Sequence, residues 1–424
     1  MEKNVSTRRI FLQKGLTLLA VAQTIPTFLD QTVLALNNPL DSSRTQQPTG
    51  KDGKILVVVQ LSGGNDGLSM VIPYGDDAYY QLRNKIAHPA SQVLKIDNYI
   101  GLHPNLTGLK SLYDNGDMAI VQGVGYPNPN RSHFRAMDIW QSAQPERQQP
   151  NSGWLGRYFD NTCPGCDPRV GVAIGEQLPL AMEGDKVLPL SFERPDSYRY
   201  NGRDKADYAK LNHADLAPTL PPPPKQLTAA DQLDFLHRTA MDAQLSSEEI
   251  LRLTRTHSSS GTYPATEFGN GLKTVAAMIA GGLPTRVYYV SLTGFDTHAA
   301  QLPRHDALMK QLSEGLSAFW QDLKQQKNDD RVLLMTFSEF GRRVQQNASN
   351  GTDHGAAAPM FVMGPGIRQG IVTNHPSMSN LDQGDLKYVV DFRSVYASVL
   401  QNWLETPSKP ILGDQFPLLP LVKV

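Results

Sequence analysis

"KILVVVQLSGGNDG", residues 54–67, is the stretch on which the fold turns. Residues 54–61 are almost continuously apolar and rich in β-branched side chains, the pattern of a strand covered on both faces, as in parallel sheets flanked by helices. Similar runs recur as "MAIVQGV" at 118–124, "RVYYVSL" at 286–292, "RVLLMTF" at 331–337 and "PMFVMG" at 359–364. Helical patterns lie between and after them. In "LPRHDALMKQLSEGLSAFWQDLKQQ" the residues Leu308, Leu312, Leu316, Phe319 and Leu323 share a stripe, and in "DFRSVYASVLQNWL" Val395, Val399 and Trp403 do the same. Strands alternating with helices predict an α/β protein, a three-layer sandwich around a mostly parallel sheet.

The 424 residues, 40% of them apolar, are enough for one large domain or two smaller ones. Forty Lys and Arg against 41 Asp and Glu leave no bias toward polyanions, so no nucleic-acid partner is expected. Residues 1–35 are of another kind: Arg8 and Arg9, then Phe11 and Leu12, an apolar stretch from Leu16 to Leu29 and a small-residue end at Val33-Leu34-Ala35 resemble a twin-arginine export signal. Gln23 and Pro26 interrupt the stretch, which is shorter than the roughly 20 apolar residues of a spanning helix, so no stable membrane anchor is expected. The Tat translocase is then a partner during export, and the periplasm or the exterior is the destination. Residues 36–53 read as a flexible linker and 54–424 as the folded domain.

The 145–265 stretch breaks the strand-helix rhythm and reads as an inserted cap region, with Pro221 to Pro224 as a rigid spacer. Its cysteines, Cys163 and Cys166, are the only two in the chain. A C-x-x-C pair can be redox-active or half of a zinc site, but no second pair exists. A small disulfide around a Pro-Gly turn is the plain reading in an oxidising compartment.

Ligands of parallel α/β sheets bind beyond the carboxyl ends of the strands. There the sequence places Asn65 and Asp66, then Arg131, Ser132 and His133, then Asp296 and His298, then Glu339, Arg342 and Arg343, with Asp353 and His354 ahead of the next strand. Each has a plain alternative. Asp66 suits a turn, Ser132 a helix N-cap, Asp296 with His298 a loop hydrogen bond, and Asp353-His354 a polar turn. Together, carboxylates with imidazoles form mixed oxygen and nitrogen sites suited to zinc, manganese or iron.

The motifs "VVVQLSGGNDGLSMVIPYGD", "NRSHFRAMDIW", "TGFDTH", "TFSEFGR", "DHGAAAPMFVMG" and "DFRSVYASVLQNWL" resemble the bacterial export family known as domain of unknown function 1501. More distantly the chain is similar to the alkaline phosphatase and sulfatase superfamily, which implies an alkaline-phosphatase-like sandwich, a divalent metal (zinc, manganese or calcium) and hydrolysis of a small anionic phosphate or sulfate ester. Carried over by order along the chain, Asp66, Asp296, His298, Glu339 and His354 become metal ligands, Ser132 the nucleophile, and Arg131 or Arg342 the holders of the anionic oxygens. The superfamily's usual Asp-His is Glu339-Phe340 here, which leaves a second metal short of a ligand. The spacing of Asp296 and His298 also makes His305 a rival ligand. A non-catalytic exported protein with one metal, binding a partner, is the alternative expectation.

Overall fold

A computed structural model describes residues 53–164, 166–196 and 246–422. The signal-like segment, nearly all of the 36–53 linker and the proline run at 221–224 lie outside the described residues.

Among the described residues, nine strands form the central sheet. We number them β1 (Ile55–Ser62), β2 (Met118–Gly125), β3 (Gly171–Ile174), β4 (Leu190–Phe192), β5 (Val287–Thr293), β6 (Val332–Phe337), β7 (Ala358–Met363), β8 (Gly370–Ile371) and β9 (Val390–Asp391). Their order is β8-β2-β7-β6-β1-β5-β3-β4, with β9 also paired to β2. β1 lies parallel to both β5 and β6, while β7 alone runs against its neighbours β6 and β2. The sheet is therefore mostly parallel, as the apolar runs predict.

Alternation along the strands builds two cores. From β1, Ile55, Val57, Val59 and Leu61 enter one core, and Leu56 and Val58 enter the other. Burying a side chain of this size is worth about 1.5–3 kcal/mol relative to exposure, so a strand feeding both faces anchors both layers. Helices α1 (Thr107–Asp114), α4 (Glu267–Ala280) and α5 (Gln301–Gln326) cover the first face, and α2 (His133–Ser142), α3 (Trp154–Thr162) and α6 (Phe392–Ser398) the second. The predicted stripe of α5, from Leu308 to Leu323, is buried in the first core. Val395 and Val399 lie in the second. No helix among the described residues is long and apolar enough to cross a membrane.

The described part of the 145–265 stretch is not set apart from the sheet. β3 and β4 form its far edge through β5, and Trp154, Leu155 and Phe159 of α3 are buried in the second core. Those strands were illegible because they are only four and three residues long. Cys163 and Cys166 are joined by a disulfide just beyond α3.

Candidate metal centre

The carboxyl ends of β1, β5 and β6 meet at one edge of the sheet, and β7, running the other way, brings its amino end to the same edge. This reversal is why His354, which precedes a strand, joins Asp296 and Glu339, which follow strands. A short antiparallel ladder locks the arrangement: Arg342 bridges His354, and Gly341 N–H donates to Ala356 O at 2.9 Å. Two glycines let the loops close. Gly63 has φ +116°, and a Cβ there would lie 2.5 Å from the Asp296 nitrogen; at Gly64 it would meet the Phe340 ring at 2.2 Å.

Asp296 is the hub. Its Oδ1 lies 3.0 Å from His298 Nε2, 3.3 Å from His354 Nε2 and 3.5 Å from His133 Nε2, and it accepts a hydrogen bond from Arg342 at 2.8 Å. His298 Nε2 is also 2.9 Å from His354 Nε2. Burial acts to raise the Asp296 pKa, but the hydrogen bond and the charge of Arg342 outweigh it and hold the carboxyl down at about 2. Desolvation and the Arg342 charge lower the His354 pKa, against the pull of its bond to Arg131, so the ring is held neutral.

The outer nitrogens set the tautomers. His133 Nδ1–H donates to Glu339 Oε1 at 2.9 Å, and His354 Nδ1–H donates to the Arg131 carbonyl at 2.7 Å. In its neutral form each ring then presents an unprotonated Nε2 to Asp296. The His133 Nε2 is buried and has no hydrogen-bond partner. His298 Nδ1 lies 3.4 Å from Asp353 Oδ1. An orphaned imidazole nitrogen, a second imidazole and a carboxylate oxygen within 4.8 Å of one another fit a metal ion. Bonds of 2.0–2.1 Å in tetrahedral geometry put ligand atoms about 3.4 Å apart, close to the spacings around Asp296.

The structure redistributes the other expected ligands. Asp66 is fully buried and ion-paired to Arg83 at 2.6 Å, with a further bond from Ser69 at 2.7 Å, and Arg83 holds its carboxyl well below the usual range against the effect of burial. Its Oδ2 is matched by Arg83, and the structure does not bring it together with the group around Asp296. Glu339 accepts from Gly63 N–H at 2.9 Å as well as from His133, and so orients the His133 ring. Arg342 is a buried clamp: it donates to the carbonyls of Gly63, Gly64, Phe295 and Thr352 and to Asp296, so its guanidinium is engaged in holding the loops together. Arg131 pairs its guanidinium with Asp385 and serves the centre through its carbonyl.

Ser132 is the N-cap of α2, but its side chain makes no capping bond, and it is exposed. The serine lining the adjacent cavity is Ser62. His305 is buried elsewhere, 3.0 Å from Asn65 Oδ1, so His298 is the histidine that shares the centre. Phe340 packs against His354 and His133, with ring centroids 4.5 and 4.9 Å away, where the resemblance would set a second ligand. His133 is the residue that sequence reasoning left unassigned. Its signal was adjacency: it follows the expected N-cap in "RSHF", so it opens a helix whose first turn faces the strand ends.

A family match spans residues 118–404, two-thirds of the chain. The chain belongs to the family Protein of unknown function (DUF1501). The resemblance carried by its motifs is thus borne out, and the match takes in every residue of the centre, from His133 to His354, while leaving out Asp66. No curated protein matches this DUF1501 sequence. Solved structures similar to it include a protein in the alkaline phosphatase superfamily from Vibrio parahaemolyticus (9% identity, 91% of this chain and 76% of that one, TM-score 0.35). The PsFucS1 sulfatase from Pseudoalteromonas sp. (11%, 91% and 74%, 0.37) and the lipoteichoic acid synthase LtaP from Listeria monocytogenes (10%, 84% and 79%, 0.37) are others. The fold of the DUF1501 chain is described by its own strand order.

Proposed function

We propose that this protein is an exported, metal-dependent hydrolase of phosphate or sulfate esters. The observation that carries the reading is the buried, unpartnered Nε2 of His133, turned by Glu339 toward Asp296 and His354. His133, Asp296 and His354 would hold the ion, with His298 beside them. Imidazole nitrogens with one carboxylate suit zinc or manganese, whereas calcium prefers six to eight oxygens. Such an ion, when bound, supplies positive charge to an ester oxygen. That charge is needed: the cavity beside the centre is lined by Asp296 and Glu339 and by no Lys or Arg, so the protein alone repels an anion.

Attack by a serine oxygen on phosphorus or sulfur would expel the alcohol, and water would then release the acid and restore the serine. Ser132 is the candidate from the motif order and Ser62 the one from the cavity. The twin-arginine-like residues Arg8 and Arg9 and the Cys163–Cys166 disulfide favour export to the periplasm or beyond, with the Tat translocase as partner. Fractionation should find processed protein outside the inner membrane.

A second reading, a non-catalytic metal-binding protein, is favoured by Phe340 in the place of a second ligand. Metal analysis followed by a panel of phosphomonoesters, phosphodiesters and sulfate esters, with zinc, manganese and calcium supplied in turn, separates the two. Turnover with zinc or manganese that is lost on chelation is expected. Bound metal without turnover on any ester would favour the second reading, and no bound metal would sink both.

A further inference from the structure

Phe134 directly follows His133 in α2 and is 87% exposed, more than any other large apolar side chain among the described residues. A single exposed apolar side chain is ordinary. Its place is what distinguishes this one. Phe134 and Met137, three residues apart and so on one face of the helix, line the same open cavity as His133, Asp296 and Glu339. On the opposite side of α2, Ala136, Ile139 and Trp140 are buried, so the helix is held by the core and has no packing use for Phe134. The cavity measures about 460 Å³, within the range of roughly 300–1,000 Å³ of small-molecule sites. Its remaining lining, Gln60, Ser62 and Gly63, is polar.

We infer that Phe134 and Met137 form a subsite for the organic group of the ester, and that this group presents a flat, apolar ring face to Phe134. The inference rests on the ester reading of the centre. An acid group held by an ion bound at Asp296 and His133 would have its ester-linked group in the same cavity, beside the next residue of the helix. A ring stacks on Phe134 in an offset or edge-on arrangement, whereas a methyl group gains little from a planar wall.

The test is calorimetric titration of the full chain, zinc supplied, with phenyl phosphate and with methyl phosphate. The parent is expected to prefer phenyl phosphate by about tenfold, within what one aromatic contact provides. Phe134→Ala should reduce that ratio to about one, and Phe134→Trp should keep it. A melting curve for each variant guards against misfolding, which an exposed side chain should not cause. Equal affinity of the parent for both compounds, binding of neither, or an unchanged ratio in Phe134→Ala overturns the subsite. Ring preference without cleavage would keep the subsite and count against phosphomonoester hydrolysis; cleavage without ring preference would overturn the subsite and keep hydrolysis.

Discussion

His103, in a second cluster of histidines, holds its proton in the opposite sense to His133 and His354. At the candidate centre, His133 and His354 donate through Nδ1 to Glu339 and to the Arg131 carbonyl, and each presents a bare Nε2 to Asp296. In the second group, His88 and His103 lie 3.2 and 2.9 Å from Asp306 Oδ1, also within ligand distance of one another. There, however, His103 Nδ1 accepts from the Asn105 N–H at 3.0 Å, so the neutral ring carries its proton on Nε2 and donates it to Asp306. A nitrogen that carries a proton cannot bind a metal. Identical residue types at similar spacing thus differ in the partner of the outer nitrogen, which sets the tautomer of His103 apart from that of His354. The second group belongs to a buried polar layer that also contains His305 with Asn65 and Asp66 with Arg83.

The contrast breaks most sharply at Arg83. Arg83→Met leaves the Asp66 carboxylate buried without its cation, and a loss of about 3–5 kcal/mol in unfolding free energy is expected from denaturant titration. A cost below about 1 kcal/mol would mean that this layer is not held by matched charge.

Zinc titration compares the two groups directly. His354→Ala should lower zinc affinity by at least about 100-fold, since it removes a ligand, while His103→Ala should leave zinc affinity near the parent's and reduce thermal stability. Equal losses of zinc in the two variants would erase the distinction drawn from their tautomers.

The smallest effect is a pH dependence. Burial is the main cause that lowers the His305 pKa from 6.5 to about 3, with Asp66 opposing and His103 adding to the fall. The unfolded chain therefore takes up this proton first. Stability from His305 is complete above pH 6.5 and is lost as pH falls toward 3, by roughly 2 kcal/mol between pH 6.5 and 5. His305→Gln should flatten that slope in melting curves recorded across the window. An unchanged slope would assign the pH dependence to other groups.

The sequence by itself determined the five long strands, the main helices and the edge at which chemistry would gather. A strand buried on both faces must be apolar throughout, and that pattern is readable without coordinates, as β1 and β6 show. It also marked Asp296, His298 and His354 as candidates, because strand ends are where parallel sheets expose side chains. Only the tertiary structure decided what those side chains do. Asp66 and Asp296 both follow strands, yet Arg83, seventeen residues further on, neutralises the first, while the second gathers imidazoles from three separate segments. Glu339 became a support for the His133 ring through a contact spanning 206 residues of chain. Local pattern records burial and period, whereas the protonation state of an imidazole depends on which distant atom faces its other nitrogen.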